Sequence, residues 1–170
     1  MLTEQPTPTQ AELNWAMLAH LSSILTAFVS LSTTGWGTVV VLLVPLGIYL
    51  YFRERSPYVA FHALQATAFQ SFAGITFILG VAVTTGLLTI GWVITALLSI
   101  VLVGLLLIPF VLIFTVTSVI SLLAWPVIAF GYTLRGGYLA YHNQPFEYPL
   151  VGELTKRAMG IPRQPSPTGA

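Results

Sequence analysis

The chain has no cysteine and no aspartate, and its charged residues make up only 6% of the whole. Without cysteine there are no disulfides, no thiolate metal sites and no cysteine nucleophile. A soluble domain carries about 25% charged residues. So few charges cannot cover a surface that faces water, so the surface must face lipid. The net charge is +1, too small to create a field that recruits nucleic acid or another polyanion. Catalytic signatures are missing as well: there is no HExxH, no P-loop and no GxGxxG, and Ser56, Ser71 and Ser99 lack nucleophile-elbow glycines. An intramembrane acid–base pair would have to be built without aspartate, and Glu54 and Glu147 read as surface residues. The expectation is therefore a protein that is not an enzyme, with no cofactor and no metal. The first residues lack a basic n-region and place prolines where an apolar core should begin, so the first apolar segment is expected to be retained rather than cleaved as a signal peptide.

What is present is apolar: 56% hydrophobic residues and a mean hydropathy of +0.87. Charge is absent from Leu13 to Phe52 and again from Ser56 to Leu134. Between the two blocks lies the cluster Arg53-Glu54-Arg55, which opens the stretch the chain is organised around. The spacing predicts an all-α integral membrane protein: one helical domain over residues 9–152, with a disordered N-terminus at 1–8 and a polar, Pro-rich tail at 153–170.

Thr9 and Glu12 form a capping box that starts a first helix, with a span over about 15–31 and Trp15 as its interfacial anchor. Residues 32–37 read as a turn. A second span over 37–52 carries Pro45 and Gly47 and ends in the aromatic belt Tyr49, Tyr51 and Phe52. Ser56-Pro57 is a helix start, Ser as N-cap and Pro at the first helical position. The third span runs over 58–83, and Thr84-Thr85-Gly86 with Gly91-Trp92 echoes the turn near residue 35. The last span is placed at 110–134. The apolar segment 87–108 between them is a re-entrant segment, a lengthening of the two last helices or a fifth span. The arginines beside both apolar blocks favour one cytoplasmic face for both and hence an even number of crossings. Four crossings with both termini cytoplasmic, in a bacterial inner or plasma membrane, is the preferred topology.

His62, Gln65 and Phe69 fall at i, i+3 and i+7 and share a helix face. Polar side chains at the start of a span face protein or a polar groove open to the cytoplasmic leaflet, not lipid. His20 lies inside the first span, too deep to meet them. His20, His62 and His142 have no short metal-ligand spacing, and each is read first as an interhelical hydrogen-bonding residue. Arg135 either snorkels to lipid phosphates or pairs with Glu54 or Glu147. Tyr132, Tyr138, Tyr141 and Tyr148 are read as belt residues, and Gly136-Gly137 as a loose point in a helix that Asn143 and Pro145 end.

The run from Arg53 through Ser56, Pro57, Phe61, His62 and Gln65 to Ala66, together with His142-Asn143-Gln144-Pro145-Phe146-Glu147-Tyr148-Pro149 and His20-Leu21-Ser22, resembles a known family. It is the bacterial membrane family of unknown function related to the twenty-kilodalton subunit of the chloroplast inner-envelope protein translocon (Tic). The resemblance implies four spans with both termini on one side. It marks His20, Ser56, Pro57, His62, Gln65, Arg135, Tyr148 and Pro149 as interaction residues rather than catalytic ones. The expected role is a translocon-like accessory or membrane scaffold, with membrane lipid, other membrane proteins or further copies of the chain as partners and no nucleic acid. The alternative is an oligomeric channel or transporter that uses His20, His62 and Gln65 as polar pathway residues.

Overall fold

The computed structural model describes residues 7–32 and 37–161. The expected disorder at 1–6, the turn at 33–36 and the tail from 162 onward lie outside the described residues. Among the described residues the regular structure is entirely helical: α1 (Gln10–Ser32), α2 (Gly37–Phe52), α3 (Pro57–Ser99), α4 (Val103–Tyr141) and α5 (Val151–Ala158).

The local start and stop signals act as their chemistry requires. At the head of α1 the Thr9 amide donates to Glu12 Oε2 at 2.8 Å and the Glu12 amide donates to Thr9 Oγ1 at 3.3 Å, a reciprocal box that satisfies two helix-end donors. Ser56 caps α3 by accepting the Val59 amide at 3.3 Å, and Pro57 follows as its first residue. Asn143 closes α4 with a positive φ of 52°. Its amide donates to the Ala140 carbonyl at 3.2 Å, and the Gln144 amide reaches back to Leu139 at 2.9 Å. That pair of bonds is a Schellman closure, with asparagine in the place glycine usually takes.

The chain divides into two compact units, residues 1–71 with 130–170, and residues 72–129. In the first, α1 packs on α2 as an antiparallel pair: the Trp15 ring near the start of α1 lies 5.5 Å from that of Phe52 at the end of α2. Ala19, Ala63 and Ala66 form a core of small side chains with Ile48 and Tyr49 against it. Small residues let helix backbones approach closely, which is how helices gain packing energy where lipid is as apolar as the side chains.

The second unit is a helical hairpin. Each arm is roughly 40 Å long at 1.5 Å per residue, close to the about 40–45 Å of a bilayer with its headgroups. Trp92 Nε1 donates to Thr115 Oγ1 at 3.1 Å, and Trp125 Nε1 to the Ala73 carbonyl at 3.2 Å, so the two arms are tied at their open end and again partway toward the turn. The turn is Ile100-Val101-Leu102, with Leu102 at φ 67°. Its amides donate to the carbonyls of Leu97, Leu98 and Ser99 at 3.1–3.3 Å, leaving these three donors satisfied without water. Gly104 sits where a Cβ would run into the Thr95 carbonyl oxygen and the Ser99 amide nitrogen.

One expectation is narrowed here and two are corrected. Of the three readings of segment 87–108 the structure has the lengthening of the two last helices, not a re-entrant piece or a separate fifth span: it is the end of α3, a three-residue turn and the start of α4. The threonine–glycine echo at residues 84–92 is no turn: it is continuous helix, with Thr89 Oγ1 donating to the Thr85 carbonyl at 2.8 Å. The stretch after residue 153 is not tail throughout, because α5 occupies its first part, with Glu153 in the first turn and Lys156 and Arg157 in the last, as the helix dipole favours. Of the five helices, α3 and α4 are long and apolar enough to cross a membrane. With 16 residues, α2 is just under the about 17–25 that a span uses.

Candidate functional site

The polar residues of the first unit converge. α1 carries His20 inward, α3 carries His62 and Gln65, and the extended segment after α4 brings back Tyr148. The His20 Nδ1 atom lies 2.9 Å from Tyr148 Oη, and its Nε2 lies 3.0 Å from His62 Nδ1. Thr133 of α4 also bonds the Tyr148 hydroxyl. A neutral imidazole has one N–H and one acceptor nitrogen. The two bonds of His20 are therefore coupled: if it accepts from Tyr148 it donates to His62, and if it donates to Tyr148 it accepts from His62. One row of hydrogen bonds thus joins three helices to the returning segment.

Aromatic rings enclose this row. Tyr148 stacks on Phe69 with centroids 3.8 Å apart and planes 6° apart. Phe146 meets His20 edge-on at 5.8 Å and Tyr148 edge-on at 4.9 Å. Tyr58 packs against His62 at 4.7 Å, and its hydroxyl donates to the Ala140 carbonyl at 2.5 Å. Burial keeps the Tyr148 phenol protonated well above its ordinary range, against a smaller opposite pull from the Thr133 bond.

Glycine makes the closeness possible. A Cβ on Gly136 would lie 2.7 Å from the Phe146 ring and 3.0 Å from His20 Nδ1, and one on Gly152 would lie 3.1 Å from Gln65 Nε2. Gln65 Nε2 makes a long 3.4 Å bond to the Phe146 carbonyl, while its buried Oε1 has no partner among the described residues. One layer away, Gln70 Nε2 donates to Ser22 Oγ at 3.1 Å. At the rim, Lys156 forms an ion pair with Glu147, fastening α5 to the returning segment.

The expected site residues divide accordingly. His20, His62, Gln65 and Tyr148 come together. Ser56 and Pro57 open α3 from the side, where Ser56 also bonds Glu12; that bond first, then the Thr9 amide and hydroxyl, hold the Glu12 carboxyl below its ordinary value. Pro149 is exposed and precedes α5. Arg135 is exposed, and neither expected carboxylate pairs with it among the described residues: Glu54 bonds Arg53 and Glu147 bonds Lys156. His20 is not too deep to meet His62. Both are buried, as is Gln65, so they line no groove open to a leaflet. Tyr148 is not a belt residue but one of the largest fully buried side chains. Gly136-Gly137 does not loosen α4; it lets neighbours touch the helix. His142 stands apart, exposed just past the end of α4 and bonded back to the Tyr138 carbonyl, 2.8 Å away. Among the described residues no group of three or more His, Asp or Glu side chains is gathered as a metal site.

Phe69, Thr133, Phe146, Gly136 and Gly152 belong to this core, and the sequence singled out only Phe69 as sharing the polar face. Glycine and phenylalanine scattered in an apolar chain carry no local signal of a shared contact. Residues 11–155 match a family described as the magnetosome magnetite crystal formation protein family (MamF/MmsF). That match covers most of the chain and overturns the resemblance to the translocon-related family, and with it the translocation role. No curated protein and no solved structure matches the chain.

Proposed function

The chain belongs to the MamF/MmsF magnetosome magnetite crystal formation family, and from that premise we propose that it is a membrane-embedded structural protein of a compartment in which a mineral crystal forms. One observation carries the membrane part. The most apolar 18-residue stretch of α3 has 0% of its residues buried and that of α4 has 6%. The core helix of a soluble protein would bury such a stretch, so lipid is its natural solvent. In this reading α1 and α2 form the first pair of crossings and α3 and α4 the second, with both termini on the arginine-bearing face.

The structural part follows from the closed polar core. His20 bonds both His62 and Tyr148, Tyr148 also bonds Thr133, Gln65 Nε2 bonds the Phe146 carbonyl, and no group of three or more His, Asp or Glu side chains is gathered among the described residues. The chain then acts by shaping the membrane environment of the growing crystal, through lipid and protein neighbours, rather than by chemistry at a site of its own. The test is deletion in the organism of origin, with crystal number, size and shape scored by electron microscopy. Smaller or misshapen crystals are expected, restored by the wild-type chain and not by a variant that opens the core, Tyr148→Ala. Unchanged crystals in the deletion strain would overturn the proposal.

A further inference from the structure

A groove of about 430 Å³ runs along the outside of the α1–α2 pair, lined by Trp15, Gly47, Ile48, Tyr51, Phe52 and Arg55. Its chemistry is graded. At one end are Gly47 and Ile48, in the body of α2. In the middle are three aromatic rings, with Tyr51 and Phe52 edge-to-face at 4.8 Å and Trp15 and Phe52 at 5.5 Å. At the other end is Arg55, in the loop that follows α2. Arg53 is engaged by Glu54 at 3.4 Å, whereas Arg55 has no carboxylate partner among the described residues. Its guanidinium lies over the Tyr51 ring, 4.0 Å from the centroid.

We infer that this groove is a binding site for one anionic glycerophospholipid, its phosphate on Arg55, its glycerol region against Trp15 and Tyr51, and an acyl chain along Gly47 and Ile48. The inference rests on the reading of the chain as membrane-embedded. Three observations select this occupant. The order apolar, aromatic, cationic along the groove is that of acyl chain, interface and headgroup across one leaflet. The Gly47 position is open, since a Cβ there would meet nothing within 4 Å, so the groove has room for a chain. The Arg55 charge already covers the Tyr51 face. An aromatic face of that kind would otherwise attract a quaternary ammonium, so a choline headgroup is repelled where a net negative one is held. A basic side chain near the headgroups favours anionic lipid by about fivefold.

The full-length chain, purified in detergent, would be given equal amounts of phosphatidylglycerol and phosphatidylcholine and its retained lipid counted by native mass spectrometry. Phosphatidylglycerol is expected to be retained over phosphatidylcholine by about fivefold. Arg55→Gln should erase the preference. Gly47→Leu, whose Cβ meets nothing within 4 Å and whose branched end would occupy the groove, should lower retention of the phosphatidylglycerol adduct. Arg157→Gln, on α5 and outside the groove's lining, where it pairs with Glu153, should change neither. Equal retention of both lipids by the wild type, a preference that survives Arg55→Gln, retention unaffected by Gly47→Leu, or release of the lipid by excess inorganic phosphate would each overturn the site. Flotation of the chain with phosphatidylcholine vesicles separates the two failures. A chain that does not float sinks the membrane reading, and one that floats without headgroup preference sinks only the groove.

Discussion

Replacing Tyr148 by phenylalanine removes one oxygen atom and leaves the ring in place. The stack on Phe69, at 3.8 Å, and the edge contact with Phe146, at 4.9 Å, survive. What is lost is the bond to His20 Nδ1 at 2.9 Å and the bond to Thr133. His20 is fully buried, so its Nδ1 finds no water in exchange. An orphaned buried polar group costs about 1–3 kcal/mol. Hydrogen bonds between membrane helices average only about 0.6 kcal/mol, because the unfolded chain in lipid also finds partners. Tyr148 lies in the returning segment outside the helices, where the unfolded reference is wetter, so about 1–2 kcal/mol is expected. Tyr148→Ala removes the ring too and should cost about 3–5 kcal/mol, as other large aromatic truncations do. The assay is unfolding of the purified chain in mixed micelles, with both substitutions repeated in a His20→Leu background. In that background Tyr148→Phe should cost less, since only the Thr133 bond is left to lose, and the difference between the two backgrounds is the coupling energy of the His20–Tyr148 pair. A Tyr148→Phe variant as stable as wild type, beside a strongly destabilised Tyr148→Ala, would refute the reasoning. The aromatic box alone would then hold the segment.

The remaining predictions are simpler. Gly136→Ala drives a methyl against the Phe146 ring and His20 Nδ1 and should destabilise by about 1–3 kcal/mol in the same assay, whereas Gly131→Ala meets open space and should not. Gly104→Ala should lower the thermal midpoint by a similar cost, because the obstacles are the backbone atoms of Thr95 and Ser99 and cannot rotate away, while Gly86→Ala should be neutral or mildly stabilising. The Glu12 carboxyl is held below its ordinary value of 4.5 by Ser56 and Thr9, so its contribution is present above that value and lost as pH falls through the lowered one. Protease nicking of the α1 start should therefore rise on acidification below about pH 4.5, and Glu12→Gln should show the loosened state already at neutral pH.

The sequence by itself located the starts of α1, α2 and α3, but not that of α4 or the whole of α5. Capping at Thr9–Glu12 and the Ser56-Pro57 start depend on residues within one turn of each other, and local chemistry of that kind is readable along the chain. The shortage of charge between Leu13 and Leu134 needs no fold to be interpreted. Only the tertiary structure decided that segment 87–108 is the closed end of a hairpin, because an apolar run has the same composition whether it turns, dips or crosses. Only it showed that His20 meets His62 and Tyr148: these contacts join residues 42 and 128 positions apart, a separation across which periodicity carries no information. The same holds for Gly136 and Gly152, whose missing Cβ atoms acquire meaning from the ring and amide that three-dimensional packing sets beside them.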